Sequence, residues 1–81
     1  MPQPPVTEEL RALTRAAIES GTLPPGGTGR TWAGRGTGKL CAVCRSRIEP
    51  AEVEYEVAWS TDESERLCHF HLVCYQIWYV T

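Results

Sequence analysis

Apolar residues recur at helical spacing near the start of the chain. Leu10, Leu13 and Ala17 form a stripe, with Ala16 and Ile18 beside it. Thr7 stands where an N-cap belongs, and Glu8 and Glu9 suit the positive end of a helix dipole. Ser20-Gly21 and then Pro24-Pro25 stop the helix. The spacing therefore predicts a short amphipathic helix over 7–20. Such a helix is marginal alone in water, so its stripe needs a surface to sit on. Proline-rich Met1 to Val6 are expected to be loose. Residues 26–39 hold six of the seven glycines around Trp32 and read as an irregular connector, long for a compact domain.

The pattern then changes period. Val53, Tyr55, Val57 and Trp59 alternate with Glu52, Glu54, Glu56 and Ala58. That is a strand with one apolar face and one mainly acidic, solvated face. Ser60 to Glu65 is a polar turn, and Arg66 to Phe70 returns as a second strand. Arg45 to Pro50 precedes this hairpin, with Ile48 expected to point inward. From His71 onward the chain reads as a final helix.

That last helix is apolar nearly all round. His71, Cys74 and Trp78 share one face, Val73, Ile77 and Val80 another, and Tyr75 and Tyr79 a third. A helix of this kind is buried on more than one side. The Leu10, Leu13, Ala17 stripe is the cover available within the chain. A partner, or a second copy forming a homodimer through this helix, is the alternative.

These elements give a small α+β fold in three segments: an N-terminal helix (1–21), a basic glycine-rich loop (22–39) and a hairpin-plus-helix module (40–81). With 81 residues, one domain is expected, near the size at which a metal is needed to complete the fold. The opening MPQPPVTEEL has neither a basic n-region nor an apolar run, so no signal peptide is expected. No stretch approaches the ~20 apolar residues of a membrane span. The expectation is a cytoplasmic protein with reduced thiols, which favours metal binding over disulfides.

The chemistry lies in Cys41-Ala42-Val43-Cys44 and His71-Leu72-Val73-Cys74, together Cys-x2-Cys-x26-His-x2-Cys. Each pair chelates through one tight turn, and the segment between them folds back to bring the pairs together. Three thiolates and a neutral imidazole suit one structural Zn2+ and leave no open position for catalysis. Cys68 and His69 are competing donors. Using Cys68 in place of His71 gives a Cys-x5-Cys pair, which loses the one-turn chelate.

A knuckle, a hairpin and a helix whose first turn donates the second ligand pair resemble the treble-clef zinc finger. The resemblance covers Cys41 to Trp78, about half of the chain. The ligand order is similar to the first zinc half of LIM domains. The interval here is longer and a second zinc half has no counterpart, so LIM partners are not implied. The run CAVCRSRIEPAEVEYEV with FHLVCYQIW also resembles small bacterial proteins with CxxC, a Glu-rich strand and FHxxCxxxW. It implies zinc at Cys41, Cys44, His71 and Cys74, and no activity.

Charge then narrows the function. The net charge of -2 argues against a general nucleic-acid binder. It is unevenly spread: 22–48 carry five cations and no acids, and 49–81 carry seven acids and one cation. Gly34-Arg35-Gly36-Thr37-Gly38-Lys39 is not a phosphate loop, because Ala33 and Leu40 stand where that motif needs Gly and Ser or Thr. The CxxC pair lacks the βαβ frame of a redox motif. The expected function is a non-enzymatic protein-interaction module, contacting its partner through the C-terminal helix or the loop. The alternative is nucleic-acid binding, with Arg30, Arg35, Lys39, Arg45 and Arg47 on phosphates and Trp32 stacked on a base.

Overall fold

The structure, a computed structural model, describes residues 7–81. The expectation for Met1 to Val6 lies outside the described residues. Helix α1 (Thr7–Glu19) is followed by strands β1 (Arg30–Arg35), β2 (Val53–Ser60) and β3 (Glu65–His71), and then by helix α2 (Leu72–Tyr79). The strands form one antiparallel sheet in the order β1-β2-β3. No helix among the described residues is long and apolar enough to cross a membrane.

α1 ends where the sequence stops it. Gly21 takes φ +81°, and the amides of Thr22 and Leu23 both turn back to the Ala17 carbonyl, at 2.9 and 3.1 Å. The buried stripe differs from the expected one. Leu10 and Thr14 are buried, whereas Leu13 is 48% exposed. Thr14 is tolerated inside because its hydroxyl donates to the Leu10 carbonyl at 2.7 Å. The hydroxyl is thereby satisfied, and its methyl group is left to pack. α1 contacts α2, so it does supply a cover within the chain.

The hairpin turns over 61–64. The Thr61 hydroxyl accepts the amides of Glu63 and Ser64, and the Thr61 amide donates to the Ser64 carbonyl at 2.8 Å. The third strand is the main departure. β1 lies within the stretch read as an irregular loop. It pairs along its length with β2, from Arg30 opposite Ala58 to Arg35 opposite Val53. Gly34 within it and Gly29 and Gly36 on either side obscure its strand preference; pairing with β2 fixes it. Gly36 follows directly, and a Cβ there would overlap the Glu49 carbonyl oxygen. Glycine therefore lets this segment close down on 48–49.

Strand parity assigns the two faces of the sheet. Val57, Cys68 and Phe70 share the face that carries the core. Phe70 stacks on Trp78, with ring centroids 5.1 Å apart, and Tyr55 stacks on Tyr75 at 4.2 Å. Trp78 is fully buried, and its indole Nε1 donates to the Pro24 carbonyl at 2.9 Å. Burying a side chain of this size contributes roughly 1.5–3 kcal/mol, and each aromatic pair about 0.5–1.5 more. Ile48 is fully buried, as its position predicts. α2 buries Cys74, Ile77 and Trp78 but exposes Val73, Tyr79 and Val80. α1 thus covers only part of a helix that is apolar nearly all round.

Candidate metal centre

The first pair of donors comes from a tight knuckle. Leu40 bridges to Arg47, the Cys41 amide donates to the Ser46 carbonyl at 2.8 Å, and the Arg45 amide returns to the Cys41 carbonyl at 3.0 Å. Arg45 closes the turn at φ 65°, a left-handed conformation uncommon for a residue with a side chain. The Ala42 amide then donates to the His69 carbonyl at 2.7 Å, which ties the knuckle to β3.

The second pair comes from the junction of β3 and α2. His71 is the N-cap residue of α2, with extended backbone at φ -65° and ψ 158°. Cys74 follows in the first helical turn, so the two side chains project to one side. Donor atoms of Cys41, Cys44, His71 and Cys74 all lie within 4.8 Å of one another. His71 Nδ1 is 3.3 Å from Cys44 Sγ. Its other nitrogen, Nε2, faces away, 3.3 Å from the Arg47 carbonyl and 3.4 Å from Glu52 Oε1. A proton on Nε2 donated to that pair leaves Nδ1 as a neutral donor aimed at the thiols. Cys41 is fully buried and Cys74 almost so, while Cys44 and His71 are half-buried.

Electrostatics favour thiolate at Cys41. The Cys74 thiol donates to Cys41, and this outweighs burial to bring Cys41 down to about 4. The same bond, with burial added, pushes Cys74 up. Together they are one thiolate and one thiol sharing a proton, which is the proton a metal ion displaces. Burial alone would lower His71; the hydrogen bond to Cys41, the Cys41 charge and Glu52 raise it instead. Four donors of this type form a group able to hold one metal ion.

The competing donors do not join this group. Cys68 is buried on the core face of β3, where desolvation, with the Cys41 charge, pushes it up to about 12. His69 points to the opposite face of the sheet from Cys68. It meets Glu54 there, with His69 Nδ1 2.9 Å from Glu54 Oε2.

Glu54 corrects the expected solvated acidic face, because it is only 6% exposed. Burial alone would raise its carboxyl. The Thr37 hydroxyl and amide, donating to Oε1 at 2.8 and 2.9 Å, together with His69, reverse that and hold it below its ordinary value. Thr37 lies 17 residues away in sequence, so no local pattern around Glu54 signals its burial.

The six proposed contact residues are exposed but not gathered. Arg30 lies over the Trp32 ring, 5.5 Å from its centroid, and reaches Glu65 at 3.7 Å. Trp32 stands opposite Glu56 in the ladder, and Arg35 lies at the far end of β1 on the other face. The Arg47 guanidinium donates to the Gly38 carbonyl at 2.9 Å. No protein-family model, no curated protein and no solved structure matches this chain. The centre is therefore defined by its own donors.

Proposed function

We propose that this protein is a non-enzymatic, zinc-stabilised interaction module of the treble-clef type. The observation that carries this reading is the convergence of Cys41, Cys44, His71 and Cys74, whose donor atoms lie within 4.8 Å of one another. Three thiolates and one imidazole suit Zn2+ in tetrahedral coordination, and a full set of protein donors leaves no place for a reacting water. Knuckle, hairpin and first helical turn are then cross-linked at one point. On this reading the arrangement is a treble clef, with β1 added at the hairpin edge.

The interaction role rests on α2. Leu72, Val73, Tyr79 and Val80 are all at least 39% exposed on a helix with few polar residues. Nucleic-acid binding has less support. Its arginines are spread over both faces of β1, and Trp32 faces the acidic residue Glu56.

Native mass spectrometry of the purified full chain tests both parts of the reading. One zinc per chain is expected, with the four thiols reduced. Absence of metal, or cysteines paired as disulfides, would overturn the zinc assignment. If the chain is a dimer through α2, Val73→Glu with Val80→Glu should make it monomeric. Titration of a labelled oligonucleotide at ~50 and ~200 mM salt decides the alternative, because phosphate binding must weaken steeply across that range.

A further inference from the structure

A second cluster of metal-binding side chains lies on the sheet face opposite the core. Glu56 is directly across from His69 in the β2–β3 ladder, and Glu54 projects from the same face two residues away. Donor atoms of Glu54, Glu56 and His69 all lie within 4.8 Å of one another. His69 Nδ1 is 2.9 Å from Glu54 Oε2 and 3.8 Å from Glu56 Oε2. We propose that these three side chains form a second cation site, distinct from the thiolate centre. It takes a divalent first-row ion through two carboxylate oxygens and one imidazole nitrogen.

Charge is the first argument. Two carboxylates converge here, and the Glu54 side chain is only 7% exposed. Among the described residues, no lysine or arginine comes within ion-pairing distance of either. The two Thr37 donors keep this buried carboxylate an anion, and among the described residues His69 is the only base within ion-pairing distance of it. Orientation is the second argument. Thr37 holds Glu54 Oε1 with two donors, which turns Oε2 toward His69 and Glu56. An outer partner that fixes a carboxylate in this way is a common support of metal ligands.

Donor chemistry separates the two sites. Oxygen with a single imidazole suits Mn2+, Co2+ or Zn2+ without the preference for soft ions that thiolates carry. Both Glu56 and His69 remain partly exposed, so water completes the coordination. The second site is therefore weaker than the first and exchanges its ion more readily.

Titration of the zinc-loaded full chain with Co2+, followed by absorption and native mass spectrometry, tests this inference. One Co2+ per chain is expected to bind saturably, with weak ligand-field bands, no thiolate charge-transfer band and the zinc retained. Glu56→Gln and His69→Gln should each weaken that binding by roughly tenfold or more, and Thr37→Val by about tenfold. None of the three should alter zinc content, which reports separately on the thiolate centre. Glu56→Gln leaves the buried Glu54–Thr37 contact in place, so its fold serves as the reference. The inference is overturned if Co2+ shows no saturable binding, if it appears only with a thiolate band, or if Glu56→Gln and His69→Gln bind as well as the parent.

Discussion

With the proposed zinc bound at Cys41, Cys44, His71 and Cys74, stripping it is expected to unfold residues 40–81, not merely loosen them. A structural zinc contributes about 10–16 kcal/mol to a small domain. Whole domains are stable by only about 5–15 kcal/mol. The metal term is thus as large as the entire margin. Part of it is chain entropy: linking Cys44 to His71 closes a loop with 26 residues between them. A cross-link of that length restricts the unfolded chain by roughly 3–4 kcal/mol. Cys41 and Cys74 also belong to the same core cluster as Phe70 and Trp78, so removing an ion held between them would disturb the packing directly. The assay is near-UV circular dichroism of the aromatic core during chelation at neutral pH, followed by restoration of Zn2+. His71→Ala should reproduce the chelated state, whereas Cys68→Ala and His69→Ala should retain zinc. A metal-free chain with an unchanged aromatic spectrum and denaturant midpoint would refute this reasoning. So would a Cys68→Ala variant as damaged as His71→Ala.

Further outcomes can be measured by denaturant midpoints. Trp78→Phe removes the donor to the Pro24 carbonyl in a buried site and should cost about 2–3 kcal/mol; a cost below about 1 would mean that water replaces the indole. Thr14→Val keeps the shape of the buried side chain and should change stability by no more than about 1 kcal/mol, since the hydroxyl only reinforces a helical carbonyl. Gly36→Ala should cost about 2 kcal/mol or more, because its methyl group meets the Glu49 carbonyl. The Glu54 carboxyl titrates below its ordinary value in the fold, so the unfolded chain binds the more protons and stability rises with pH through that window. The stability difference between the parent and Glu54→Gln should be full above about pH 4.3 and shrink as pH falls through the folded value. A difference that grows on acidification would contradict the hydrogen-bonding account.

What the sequence disclosed was local. α1 follows from the Leu10 spacing and its Gly21 stop, and the hairpin follows from alternation at 53–59. The four donors were legible because a two-residue interval makes a chelate wherever the chain places it. What stayed hidden depends on distant partners. β1 reads as a loop because it is short and set among glycines at 29, 34 and 36, and pairing with β2 makes it a strand. Glu54 reads as solvated because its donors, Thr37 and His69, lie 17 and 15 positions away. Leu13 reads as inward from its spacing, but Thr14 takes the buried place between Leu10 and Ala17, and a hydroxyl that can bond its own helix allows it.

β1 is a border strand, and every residue in it is exposed. Its outer rim presents main-chain groups that could template another strand, the usual starting point of sheet-to-sheet aggregation. Arg30 and Arg35 stand at its two ends like bookends, so an incoming copy meets like charge at both approaches. Neutralising both arginines would remove that like-charge barrier to self-association.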